Sequence, residues 1–367
     1  MKTEALSPRA LNRALLARQM LLAREEISAV EAVERLVGLQ AQQAQPPFIG
    51  LWTRIDGFER EDLLRPLRSR EIVRSTLMRA TLHLVSADDY VSLRGALQPA
   101  LSAGMRAVLR DRAKALDVPA IVAAARLMFT ERARTFTELR AALMDVYPDA
   151  DERALGYAAR MHLPLVLVPD NSEWGYPADA DFADAESWLG RSPSVEERPE
   201  TLCLRYLAAF GPATATDVQA WSAATGVREV LDKLRPKLRV FRDDRKRELF
   251  DLPKAPRPAE ETPAPVRFLP GFDNVILSHS DRTRIIADEH RPLVTTRNLQ
   301  VLPTFLVDGF VAGTWKYSRV KTSALLTVSP FAPLPVATER ELAEEGQELA
   351  RFIDPDAAKS VIRFEAP

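Results

Sequence analysis

Apolar positions fall into three successive blocks of helical spacing, each closing on short runs that alternate with period two; a longer alternating region follows. In the first block "ALNRALLARQMLLA" is helical. Ser28 and Glu31 then form an S-x-x-E box that opens the apolar series Val30, Val33, Leu36 and Val37. Pro46 and Pro47 stop that element and start the next, "PPFIGLWTRI". "REDLLRPLRSR" predicts a further helix, and "EIVRSTLMRATLHLVS" predicts two strands.

The second block runs "PAIVAAARLMFTERA", then Thr135 with Glu138 as a capping box into "ELRAALMDVY", then "DERALGYAARMH". "LPLVLVPDNSEWGYP" predicts a hairpin turning at Asp170-Asn171-Ser172-Glu173. The third block is "LCLRYLAAFGP", then "DVQAWSAATG" capped by Thr216 with Gln219, then "REVLDKLRPKL"; it closes on the charged hairpin "RVFRDDRKRELFDLP". Helices followed by a hairpin, three times over, is the winged-helix pattern. "PKAPRPAEETPAPV" (253–266) is a Pro-rich linker. Beyond it "VRFLPGFDNVIL", "PTFLVDGFVAGTWKYS" with an Asp308-Gly309 turn, and "TSALLTVSPF" predict strands, and "ATERELAEEGQELARFI" a closing helix. The expected fold class is α+β: three tandem winged-helix units (1–110, 111–198 and 199–255) and a small C-terminal β-barrel or sheet with a terminal helix (256–367).

Composition narrows this little. The chain has 367 residues, 46% hydrophobic and 28% charged, as in ordinary globular proteins. No apolar run approaches the roughly 20 residues that span a bilayer. The N-terminal stretch lacks the apolar core of a secretory signal, so a cytoplasmic, nucleoid-associated location is expected. A single cysteine, Cys203, leaves no internal disulfide or Cys-based metal cage. Fifty basic against fifty-one acidic residues give no argument for a nucleic-acid partner and count mildly against one, though distribution matters more than the sum. Residues 60–115 are Arg-rich, however, and 145–200 strongly acidic.

Several chemistries are missing. There is no Gly-rich phosphate loop, H-E-x-x-H, C-x-x-C or G-x-S-x-G, and His83, His162, His279 and His290 lack metal-ligand spacing. No metal or cofactor is expected. Three features remain. "RDDRKRELF" puts Arg242, Arg245, Lys246 and Arg247 at a hairpin tip, where they could enter a minor groove or simply keep an edge solvated. "MRATLHLVS" puts Arg79, Thr81 and His83 on one face if that segment is a strand. "GLQAQQAQPPFIGLW" concentrates Gln40, Gln42, Gln43 and Gln45 at a helix end. In an extended loop Gln40 pairs with Gln42 and Gln43 with Gln45; in a helix Gln40 would face Gln43. Spacing alone leaves these alternatives open.

"LVGLQAQQAQPPFIGLWTRIDGFEREDLLRPLRSREIVRSTLMRATLHLVSADDY" closely resembles the AlkZ-like winged-helix DNA glycosylases. The resemblance continues through "FLPGFDNVILSHSDRTRI" and "VDGFVAGTWK". It implies a C-shaped, DNA-embracing scaffold and excision of alkylated purines, with unhooking of interstrand crosslinks. It implies that Gln40 and Gln42, in the family's Q-x-Q register after "VGL", are catalytic, and that His162 and Pro164 match an element approaching DNA near the lesion. With Arg79, His83 and the hairpin cations, these make up the expected DNA-binding set. The partner is double-stranded DNA carrying alkylated purines, bound by a monomer.

Glutamine can serve such a reaction only in a limited way. Its carboxamide orients water and offers a dipole, but it cannot take a proton as a carboxylate would. Two glutamines therefore suffice only where the lesion carries its own positive charge, as N7-alkylguanine does. The alternative is a non-enzymatic winged-helix regulator, which would bind one sequence selectively and leave no abasic sites.

Overall fold

The computed structural model describes residues 5–367. Strand β1 (Ala5–Leu6) leads into helix α1 (Pro8–Arg18), capped by Ser7 with Pro8 in the first turn. Helix α2 (Ala29–Arg35) starts at Ser28, whose Oγ accepts from the Glu31 N–H at 3.2 Å. Strand β2 (Leu39–Gln40) follows, then α3 (Pro46–Trp52), α4 (Arg60–Arg68), β3 (Ile72–Thr76) and β4 (Leu82–Ser86). Helix α5 (Ala87–Leu109) has no counterpart in the pattern reading.

The second group is α6 (Val118–Glu131), α7 (Phe136–Val146), α8 (Glu152–His162), β5 (Leu165–Leu167), β6 (Phe182–Asp184) and α9 (Ala185–Leu189). Thr135 and Glu138 form the full capping box that spacing predicts. The hairpin returns only at Phe182, so its loop runs across 168–181 and does not turn tightly at 170–173. The loop is anchored by the half-buried Trp174, which packs edge-on to Phe48 and under Arg60.

The third group is α10 (Pro199–Phe210), α11 (Ala215–Ser222), α12 (Val227–Leu234), β7 (Arg239–Asp243) and β8 (Glu248–Asp251). Here the capping pair is Thr214 with Asp217, two residues before the expected Thr216 with Gln219. The spacing is the same, but Thr214 has the extended backbone of a cap and closes a reciprocal box with Asp217, whereas Thr216 already lies inside the helix.

The three groups share a detail finer than helix count. In each, a segment between two helices (α2 and α3, α6 and α7, α10 and α11) pairs with the last strand of the hairpin: Gln40 with His83, Arg134 with Phe182, and Ala213 with Phe250. The first two hairpins merge into one five-stranded sheet of order β2-β4-β3-β5-β6, while the third forms a separate sheet of order β1-β7-β8.

The C-terminal region contains β9 (Arg267–Leu269), α13 (Asn274–Leu277), α14 (Arg291–Val294), β10 (Thr304–Val307), β11 (Phe310–Val320), β12 (Ser323–Pro330), α15 (Val336–Ile353) and β13 (Lys359–Phe364). Asp308 and Gly309 turn the β10–β11 hairpin with φ of 46° and 81°, as an Asp-Gly turn requires. The sheet is open, ordered β13-β12-β11-β10-β9, and the barrel alternative is thereby corrected. Leu342, Leu349 and Ile353 of α15 cover Phe268, Trp315 and Leu326, so a helix, not closure, buries the apolar face.

Helix α1 is tied to distant sequence. Arg18 makes a fully buried bidentate pair with Asp251 (2.8 and 2.9 Å), and Asn12 donates to the carbonyls of Arg284 and Gly309. Arg54 at the end of α3 does likewise with Asp273. Among the described residues no helix is long and apolar enough to cross a membrane.

Candidate active site

The glutamine segment leaves α2 through two left-handed residues, Val37 (φ 53°) and Gly38 (φ 88°). Glycine is required at the second: a Cβ would lie 2.6 Å from Val85 Cγ1 and 2.8 Å from the Leu84 carbonyl oxygen. The tight exit turns the chain at once into β2 beside β4. Asn274, at the start of α13, donates to the Gly38 carbonyl at 2.7 Å and holds the turn from the far side.

Beyond Gln40 the chain stays pinned. Ala41 N–H donates to the Leu82 carbonyl at 2.7 Å, and Arg74 of β3 donates from Nε to the Ala41 carbonyl (2.8 Å) and from a terminal nitrogen to that of Gln42 (3.2 Å). The Arg74 guanidinium lies over the Tyr176 ring, 4.8 Å from its centroid.

The two side chains of the Q-x-Q segment meet different surroundings. Gln40 is buried, 7% exposed, and its Oε1 accepts from Arg79 at 2.8 Å. Arg79 also donates to the Trp221 carbonyl at 2.7 Å, at the end of α11. His83, opposite Gln40 in the ladder, donates from Nδ1 to the Thr81 carbonyl (3.0 Å) and turns Nε2 toward Arg79 at 3.5 Å. Burial, and then the charge of Arg79, push His83 down to about 3, so its ring is neutral. Gln42 is exposed, and its Oε1 accepts from the Leu82 N–H at 3.3 Å.

Two clefts flank the segment. One, of about 420 Å³, runs from Gln42 and Gln43 past Arg74 to Tyr176, Asp179 and Phe182. The other, of about 550 Å³, runs from Gln43 and Gln45 to Phe272, Trp315 and Tyr317 of the C-terminal region.

A family profile for AlkZ-like DNA glycosylases matches residues 33–352. The chain belongs to that family. It is therefore an enzyme that hydrolyses N-glycosidic bonds in DNA, which decides against a purely DNA-binding regulator. An interstrand DNA cross-link repair glycosylase from Streptomyces sahachiroi is 27% identical, with 89% of this chain and 92% of that protein covered. The solved structure of the S. sahachiroi DNA glycosylase AlkZ superposes with a TM-score of 0.80 at 22% identity, covering 98% of this chain and all of the other. That likeness concerns the fold.

In this glycosylase the remaining sequence-derived residues are spread out. Arg79 is not on a strand. It occupies the turn between β3 and β4, and the turn curls it back so that it still meets His83 and Gln40. His162 ends α8, donating to the Ala158 carbonyl and lying 3.2 Å from Ser102 Oγ of α5; burial lowers its pKa. The Pro164 carbonyl accepts from the Ala185 N–H. Both residues lead into β5, three strand spacings or about 14 Å across the sheet from β2, outside the glutamine network.

The hairpin cations lie on the β1-β7-β8 sheet. Arg247 is paired with Asp243 and Asp281 (2.6 Å each) and Arg245 with Asp281 (3.1 Å). Arg242 and Lys246 are exposed, with Arg242 donating to the Lys246 carbonyl. Pattern reading gave no role to Arg74, Trp221, Asp273 or Asn274. For Arg74 a signal existed, a lone cation inside the otherwise uncharged strand "IVRST".

Proposed function

We propose that this enzyme is a monofunctional glycosylase for cationic N-alkylated purines, N7-alkylguanine and N3-alkyladenine, and that it unhooks interstrand crosslinks built from them. Gln42 orients the attacking water and Gln40 shares the task of stabilising the reacting nucleotide. The three repeated groups act as winged helices. Together with His162, Pro164 and the hairpin bearing Arg242, Arg245, Lys246 and Arg247, they grip double-stranded DNA as a monomer without cofactor, in the cytoplasm at the nucleoid.

The observation that carries this reading is that the groups bonded to the two glutamines include no general acid. Gln40 is bonded to Arg79 and Gln42 to a backbone N–H; among the described residues no carboxylate is hydrogen-bonded to Gln40, Gln42 or Arg79. Such a site can position water but cannot protonate a neutral base, so the substrate must arrive activated. The crosslink-repair relative supports the wider substrate range. The thrice-repeated strand crossing supports the winged-helix reading.

Gln42→Ala should abolish release of 7-methylguanine from methylated duplex DNA while leaving duplex affinity intact, and Gln43→Ala should retain activity. Undiminished release by Gln42→Ala would remove Gln42 from the mechanism.

A further inference from the structure

The side chain that fixes Gln40 stands out. Arg79 and Ala80 are consecutive non-glycine residues in left-handed conformation, φ 54° and 56°, at a turn where Asn-Gly would fold without cost. The strain places a guanidinium against Gln40, and costly conformations of this kind persist where a contact depends on them. Arg79 is half-buried and, among the described residues, has no carboxylate partner; its partners are the Trp221 carbonyl, the Gln40 amide and, at 3.5 Å, His83 Nε2. Burial, and then the charge of Arg282, lower it to about 10, so it remains a cation at neutral pH.

Arginine has donors and no acceptor, so the Gln40 atom 2.8 Å from it is the oxygen. The amide orientation follows from chemistry: oxygen inward, NH2 free to donate. Accepting from a cation also polarises the carboxamide and strengthens its N–H groups as donors.

We propose that Arg79 is a positioning residue that makes Gln40 a hydrogen-bond donor to the departing purine, leaving the water to Gln42. This rests on the glycosylase reading above. In the step, the C1′–N9 bond breaks and its electron pair stays on the purine, cancelling the ring's positive charge. Water forms the new C1′–O bond and its proton passes to solvent. Electron density grows on the ring nitrogens and exocyclic oxygen of the leaving base, where an N–H donor stabilises it more in the transition state than in the bound substrate. A fixed positive charge on the purine side also favours movement of charge from base to sugar.

The test uses the full chain and duplexes carrying N7-substituted guanines whose departing bases differ in acidity. Arg79→Ala should lower kcat for 7-methylguanine by about 10- to 100-fold, as loss of a charge-assisted contact does. The loss should shrink for the better leaving groups, steepening the dependence of rate on leaving-group acidity. Arg79→Lys should recover part of the rate, ethylguanidinium should partly rescue Arg79→Ala, and affinity for undamaged duplex should hold.

An equal loss for every lesion, with no rescue, would make Arg79 a merely structural residue and overturn the proposal. A defect confined to KM, with the salt slope of binding reduced by about one, would make it a phosphate contact instead and also overturn it. If the unaltered enzyme released none of these bases, the glycosylase reading would fall first and take this inference with it.

Discussion

Two buried histidines set how this protein answers acid. Burial, and then a neighbouring arginine, push His83 and His279 down to about 3 from the ordinary 6.5, Arg79 acting on the first and Arg284 on the second. His279 is held between Ser278 Oγ (2.9 Å) and the Phe210 carbonyl (3.0 Å). Both are neutral in the folded chain, whereas the unfolded chain protonates them below 6.5. Between pH 6.5 and 3 the unfolded state therefore binds protons that the native state refuses, and stability falls as pH falls, by up to about 1.4 kcal/mol per pH unit for each ring. Urea midpoints measured at pH 7.5, 6.5 and 5.5 should fall in that order, and His83→Gln should flatten the slope; an unchanged slope would show that His83 titrates normally. At this scale the sequence was half legible. It put Arg79 and His83 on one face by assuming a strand, and they do meet, but because a left-handed turn curls Arg79 back.

Gly38 is where an element boundary fixes the site. α2 must end, reverse and enter β2 within three residues, and only a residue without Cβ fits against Val85 and the Leu84 carbonyl. Gly38→Ala should cost about 2–4 kcal/mol, from the left-handed conformation and overpacking combined, and should displace Gln40 from Arg79. Denaturation midpoints would register the first effect and base release the second; a variant as stable as the parent would mean that the turn relaxes freely. Start signals were readable wherever they are local: Pro46, Ser28 and Thr135 all open the helices expected of them. Where the partner is remote, local reading slipped. The β5–β6 loop is long because Trp174 packs on Phe48 and Arg60, more than a hundred residues away.

Across the whole molecule, buried ion pairs join segments far apart in sequence. Arg54 and Asp273 are both fully buried and bidentate at 2.8–2.9 Å, and Asp273 also caps the helix whose Asn274 holds the Gly38 turn. Asp273→Ala would strand a buried guanidinium, and such losses cost about 3–5 kcal/mol. The variant should unfold at lower urea and excise bases more slowly, although Asp273 touches neither glutamine; wild-type stability would show that water replaces the carboxylate. Arg13, Arg18, Arg54 and Arg74 are spent inside the molecule and are not available to DNA.

By itself the sequence determined what depends on neighbours along the chain. Period and capping residues placed most helices and hairpins, and Asp308-Gly309 its turn. Hydrogen bonds and rotational preferences within a few residues suffice for these. Only the tertiary structure decided that the C-terminal sheet stays open under α15, that the first two hairpins form one sheet, and that Gln40 faces a cation while Gln42 faces water. Each depends on groups tens to hundreds of residues apart, whose meeting is set by burial of the shared core and leaves no periodic trace in the chain.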